Sequence, residues 1–311
     1  MKELYGLKVT FSNFCGYRCK YCFVNVDDTK IIDFHLFQGL TEYYLFQIWD
    51  IKRFFFLWWE VMLFFDIFQK YLDFLDQQRV NSQIRIYLVT SWLWMTRERV
   101  KVLSKYGVWI GVSIDGPEYI HNQNRIDKKG NSTFTSTMKA ISLLNEYYSD
   151  INLWYTITVD EKTVTHLFES FLYLSHFDAP RRNVWIAATY TTLWKKENIK
   201  YLAKELKKIC EFIYLQILQE NYYYYNILWF FIIELQNGKE PKQWNLEIHA
   251  FPDGHISEML FVESKWENKT LDPNFVRFGI VLPYAKKMIR AAVSDIRYKT
   301  YIETLHHKAI F

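Results

Sequence analysis

Cys15, Cys19 and Cys22 stand in the run Cys15-Gly16-Tyr17-Arg18-Cys19-Lys20-Tyr21-Cys22, a C-x3-C-x2-C triplet. Thiolates are the metal-binding form of cysteine, and three so close in sequence can each hold one iron of a cubane cluster. The fourth iron is then left open to a substrate. A structural zinc site competes for the same residues, but zinc takes four tetrahedral ligands. No second C-x2-C pair exists, and nothing recommends His35 as a fourth ligand. Cys210 lies in a helix-like run, where a buried, inert thiol is expected. A disulfide framework fits poorly: four cysteines in 311 residues are sparse, and no secretory leader is recognisable.

The triplet follows the strand-like run Leu7–Phe11. Further strand candidates are Arg53–Leu57, Ile84–Thr90, Val108–Ile114, Asn152–Val159 and Asn183–Thr189. Between and after them, helical periodicity fits Leu36–Ile48, Phe64–Gln77, Arg97–Tyr106, Thr133–Tyr148, Val164–His176 and Glu197–Gln219, with Thr96 as an N-cap. Six β-then-α units imply parallel strands with right-handed crossovers. The expected fold is α/β, a partial (β/α)6 barrel or an open doubly wound sheet. In either, the site lies at the C-terminal strand ends, where the cysteine loop falls. From Asn237 the rhythm changes to two strand-like runs, Leu246–Phe251 and His255–Val262, joined by Pro252-Asp253-Gly254 as a hairpin. A helix-like stretch runs from Pro283 to about His306. The expected division is a barrel over residues 1–236 and a hairpin-plus-helix extension over residues 237–311.

Charge and composition exclude several classes. A net charge of +4, from 38 basic and 34 acidic residues, is too even to point to nucleic acid or a membrane surface. The aromatic runs at residues 54–59 and 222–235 are broken by charged or polar residues and fall short of a membrane span. No phosphate loop, dinucleotide fingerprint or nucleophile elbow occurs. His249 and His255 flank the expected turn, and His306-His307 read as a helix end. The expected compartment is a reducing cytoplasm. Aromatic residues make up 19% of the chain against only 10 glycines, so places where backbone must approach a ligand closely are scarce.

A second motif joins the triplet: Val112-Ser113-Ile114-Asp115-Gly116-Pro117, then Ile120-His121, Arg125, Gly130 and Phe134. Together they resemble the radical S-adenosylmethionine enzymes, in the branch of anaerobic sulfatase maturases and peptide-modifying enzymes. The resemblance covers about residues 5 to 190, with Asn122 where the branch usually has Asp. It implies that Cys15, Cys19 and Cys22 ligate a 4Fe–4S cluster whose open iron chelates the methionine moiety of S-adenosylmethionine. It also implies a 5′-deoxyadenosyl radical, hydrogen abstraction from a peptide or protein, and a reducing electron donor. Tyr21 would pack near the adenine, and Ser113 and Arg125 would contact polar groups of the cofactor, Arg125 gripping a carboxylate with its guanidinium fork. Asp115 would shape the turn.

The chain departs from that branch at its glycines. Where the branch has Gly-Gly-Glu-Pro, this sequence has Trp58-Trp59-Glu60-Val61, keeping only Glu60; where it has Thr-Asn-Gly, this sequence has Thr90-Ser91-Trp92, leaving Ser91. Indoles at Trp58, Trp59 and Trp92 are expected to crowd the cofactor and weaken its binding. Auxiliary-cluster cysteines are missing after Cys210, and Met259 and Leu260 stand where a maturase has a cysteine and a catalytic aspartate. Sulfatase maturation is therefore not expected, no catalytic side chain is assigned, and Asp253 is given to the turn. Three functions follow: a radical enzyme acting on peptides, a catalytically impaired binding module on the same fold, or a zinc-binding structural protein.

Overall fold

The computed structural model describes residues 4–22, 27–46, 51–57, 61–79, 83–148, 152–176, 183–189, 194–218, 246–250 and 256–257. The first elements are β1 (Leu4–Thr10), β2 (Ser12–Phe14), β3 (Asp27–Ile31), α1 (Phe34–Leu45) and β4 (Ile51–Leu57). A 3-10 turn then leads into α2 (Phe65–Gln78), followed by β5 (Gln83–Thr90), α3 (Arg97–Lys105), β6 (Val108–Ser113), α4 (Glu118–Asn124) and α5 (Phe134–Asn145). The rest are β7 (Leu153–Val159), α6 (Leu167–Ser175), β8 (Asn183–Ala188), α7 (Lys196–Leu218), β9 (Leu246–Ala250) and β10 (Ile256–Ser257).

The large sheet has the order β10-β9-β1-β4-β5-β6-β7-β8. The strands β1 and β4 to β8 pair in parallel, each with its neighbour, forming a six-stranded half-barrel with helical crossovers. Strand β9 adds in parallel to the free edge of β1, with Leu7 opposite Ile248, and β10 returns antiparallel to it. The expected helix over Pro283–His306 lies outside the described residues.

Strand periodicity builds the two faces. In β5, Ile84, Ile86, Leu88 and Thr90 are buried, while Gln83 and Arg85 are exposed and Tyr87 and Val89 half-buried. The buried set joins Leu7, Val9, Phe54, Phe56, Val108, Ile110, Leu153, Tyr155 and Ile157 in one core with the helices. Phe37 and Tyr71 from α1 and α2 meet there at 4.9 Å, and Phe68 meets Phe56 edge-on at 4.9 Å. Side chains cap two helix starts: Asp33 accepts from Leu36 N at 2.9 Å, and Thr96, the N-cap expected from the sequence, from Arg99 N at 3.4 Å.

Two features were not legible in the pattern. Strands β2 and β3 form a separate antiparallel ribbon, pairing Ser12 with Ile31 and Phe14 with Asp27, and so clasp the segment that carries the cysteines. Helix α4 has seven residues, too few to show a periodicity of its own.

Candidate functional site

Residues 15–22 leave the C-terminal end of the β1 region and dock on the segment after α4. Arg18 N donates to Ile126 O at 2.7 Å, Lys20 N donates to Asn124 O at 2.9 Å, and Tyr17 bridges Asp127. Arg18 turns back on its own loop, with Nη1 donating to Cys15 O at 2.7 Å and Tyr17 O at 2.8 Å. Tyr17 Oη meets Ser136 Oγ of α5 at 3.0 Å. The backbone of the loop is therefore fixed at several points, and its three thiols are free of disulfides and half-buried.

The turn after β6 faces this loop. Gly116 has φ +129, and a Cβ there would stand 2.4 Å from Ser170 Oγ and 3.0 Å from Ser170 Cα of α6, so only glycine lets the turn and helix meet. Asp115, 1% exposed, is the hub. It accepts from Tyr21 Oη at 2.8 Å, Arg125 Nε at 2.9 Å, Arg125 Nη2 at 3.0 Å and Thr158 N of β7 at 2.9 Å. Arg125 also donates to Thr158 Oγ1 at 3.2 Å, and its guanidinium carbon lies 5.3 Å from the centroid of the Tyr21 ring. The carboxylate partner of the Arg125 fork in this structure is thus Asp115. Both protons of Nη2 are thereby engaged, so a grip on a ligand carboxylate would fall to Nη1. Tyr21 is likewise engaged through its hydroxyl.

The rest of the motif supports the hub. His121 is fully buried; its Nδ1 accepts from Asp115 N at 3.4 Å, and its Nε2 lies 3.1 Å from Thr133 Oγ1, which donates to Arg125 O at 2.9 Å. With the Thr133 proton spent on that carbonyl, Nε2 carries the imidazole hydrogen and the ring is neutral. Burial, then the Arg125 charge, lowers its pKa from 6.5 to about 3. Phe134 stands edge-on to His121 at 5.6 Å. Gly130, at φ +83, closes the turn in which Asp127 accepts from Lys129 N, Asn131 N and Asn131 Nδ2.

Burial pushes the Cys19 thiol up to about 11, with the Arg125 charge pulling the other way. A thiol so desolvated needs a cation beside it to ionise, which is what an iron supplies. Among the described residues no three His, Cys, Asp or Glu side chains converge on a point where one metal ion could sit. Several buried polar groups are orphaned. Ser91 Oγ, Trp92 Nε1 and both amide atoms of Asn124 are buried with no hydrogen-bond partner.

Trp92, 2% exposed, is packed into the core despite a left-handed backbone at φ +64. Leu93 Cδ1 lies 2.2 Å, and the tip of the Trp94 ring 3.1 Å, from where a Gly16 Cβ would be, so these two side chains cover the loop. Ser113 ends β6, half-buried, on the face turned away from the helices. Trp58, Trp59 and Glu60 lie outside the described residues, as do Asp253, His255, Met259 and Leu260. Sequence reasoning missed Thr158, Leu93 and Trp94, which carried no motif, and gave Asp115 only the turn.

A family model described as the Radical SAM superfamily matches residues 9–169. An uncharacterized protein of Methanocaldococcus jannaschii is 29% identical over 177 residues, 57% of this chain and 59% of its own length. The cysteine-type anaerobic sulfatase-maturating enzyme of Clostridium perfringens is 27% identical over 177 residues, 54% of this chain and 47% of its own. The chain thus spans about half the length of these relatives. Among solved structures, native anSMEcpe with bound AdoMet and Cp18Cys peptide superposes with a TM-score of 0.70 at 19% identity, covering 96% of this chain and 82% of that one. Streptococcus suis SuiB bound to precursor peptide SuiA gives 0.60 at 14% identity, covering 96% and 66%. These likenesses are of fold.

Proposed function

The chain belongs to the Radical SAM superfamily, and from that premise we propose that it is an iron–sulfur enzyme acting on a C–H bond of a peptide or protein. Cys15, Cys19 and Cys22 would hold a 4Fe–4S cluster, with S-adenosylmethionine at the strand ends among Tyr21, Glu60, Ser91, Ser113 and Arg125. When bound and reduced, the pair supplies a 5′-deoxyadenosyl radical for hydrogen abstraction. The chain's own residues fix the loop: Asp115 ties Tyr21 to Arg125 and to β7. Ser91 Oγ and the Arg125 Nη1 edge are left to bind polar groups of the ligand. The observation that carries the reading is that hub, which joins the triplet to a motif almost a hundred residues away through a buried carboxylate. The relatives that mature sulfatases and the peptide-bound neighbours support a peptide partner. No described helix is long and apolar enough to cross a membrane.

Anaerobic reconstitution tests it. The expected product is a brown protein with about four irons, bleached by dithionite and releasing 5′-deoxyadenosine from S-adenosylmethionine. Changing Cys15, Cys19 and Cys22 together to Ala should abolish iron binding, and full iron in that variant refutes the assignment.

One observation favours a second reading, a cluster-bearing module without turnover. Leu93 and Trp94 cover the cysteine loop at Gly16. A cluster that forms while no 5′-deoxyadenosine appears selects it.

A further inference from the structure

The face of the half-barrel turned away from the helices carries a run of aromatic rings. Phe55 of β4 stacks on Tyr87 of β5 at 4.7 Å and 14°, and Tyr87 lies 5.6 Å from Trp109 of β6. Tyr87 also lies 6.1 Å from Trp154 of β7, a strand that is not its neighbour. Gly111 makes that reach across β6 possible, since a Cβ there would stand 2.5 Å from two Trp154 ring atoms and 2.8 Å from Val89. The run ends on Trp185 of β8, with its ring centroid 5.9 Å from that of Trp154 and the planes 35° apart. Trp154 is 9% exposed, but Trp185 is 59% exposed.

Trp185 is at the height of the site. It pairs across the sheet with Thr156, and Thr156 with Ser113. Thr158, whose hydroxyl takes Arg125, lies two residues further along β7, about 7 Å at the usual strand rise, and β8 is about 5 Å to the side. A group resting on the Trp185 ring is therefore beside the cofactor-binding end of the sheet.

The run itself selects what that group is. From Phe55 through Tyr87 and Trp154 to Trp185 each ring meets the next, and the last one is exposed. A further ring continues the run, gaining both area and offset stacking on an indole backed by a second one.

We infer that Trp185, backed by Trp154, is a specificity subsite that takes an aromatic side chain of the peptide substrate. The inference rests on the peptide-modifying reading. Its test is run on protein without iron or cofactor, so a failure of radical chemistry leaves it standing. Ligand-observed NMR would compare N-acetyl-phenylalanine amide, N-acetyl-leucine amide and N-acetyl-lysine amide on the unaltered chain, Trp185→Ala and Trp185→Phe. The phenylalanine probe should bind best and weaken about tenfold in Trp185→Ala, the size of a lost stacking partner plus its area. Trp185→Phe should restore most of the loss. Unfolding midpoints within a degree or two of the unaltered chain would confirm that an exposed site was changed. No binding of the phenylalanine probe, equal binding to Trp185→Ala, or leucine or lysine binding as tightly as phenylalanine overturns the subsite.

Discussion

Asp115→Asn removes one charge while keeping the shape of the side chain. Asn can keep Oδ1 toward Thr158 N and Arg125 Nη2, now as a neutral acceptor. Its amide nitrogen then replaces Oδ2 and faces Arg125 Nε, donor against donor, while Tyr21 Oη can turn to accept from it. One charged bond is lost and one weakened, at about 1.5–3 kcal/mol for each bond to a charged group. The Arg125 charge stays buried at 7% exposure with no counter-charge, and breaking such a pair from one side typically costs about 3–5 kcal/mol. We expect a loss of about 4 kcal/mol, near a thousandfold in the folded-to-unfolded ratio at ~1.4 kcal/mol per tenfold. Urea unfolding of the metal-free protein measures it. Arg125→Met should cost a similar amount, and the double variant clearly less than the sum, because the second change no longer strands a charge. A cost below about 1 kcal/mol, the value of a solvent-exposed pair, or strict additivity of the two changes would refute the hub.

Three further outcomes follow from the same geometry. His121 is held neutral, with its pKa lowered from 6.5 to about 3, so the unfolded chain takes up a proton near pH 6.5 that the folded chain refuses until about 3. Its contribution is complete above pH 6.5 and is lost as the pH falls toward 3, at up to about 1.4 kcal/mol per pH unit. Unfolding midpoints at pH 7 and 5 should show this slope, and His121→Asn should flatten it; an unchanged slope assigns the dependence elsewhere. Gly116→Ala places a methyl against Ser170 at a φ of +129 and should cost about 3 kcal/mol, from overpacking plus the disfavoured backbone. Ser170→Gly should return only part of that, because Ser170 Cα is itself 3.0 Å away; full rescue would place the strain in the side chain alone. Trp92→Gly relieves a left-handed φ of +64 but empties a core site, so denaturation should show a net loss of about 2–3 kcal/mol. A gain would mean that the indole contributes nothing to packing.

Local patterns disclosed most of the fold. Alternation in Ile84–Thr90 gave β5, three-to-four periodicity gave α2, and the Thr96 hydroxyl marked the start of α3. Each is decided by residues within a few positions of one another. The ribbon of β2 and β3 and the short α4 lacked that length of pattern. Strand β9 had a strand's composition, but its place beside β1 depends on a chain return of more than two hundred residues.

The candidate site divides the same way. Cysteine type and spacing alone named the loop, because one short segment supplies all three thiols. The residues of the second motif were also legible, but their partners were not. Arg125 read as a ligand-binding fork and is found holding Asp115. Trp92, one of three indoles expected to crowd the cofactor, is buried, and Leu93 and Trp94, which no motif marked, pack at Gly16. A sequence fixes which groups are available and how a few neighbours repeat. Which carboxylate meets which guanidinium, and which way an indole turns, is decided when parallel strands close into a half-barrel. That closure brings Tyr21, Asp115, Arg125 and Thr158 to one end of the sheet, where burial makes each unpaired charge too costly to leave alone.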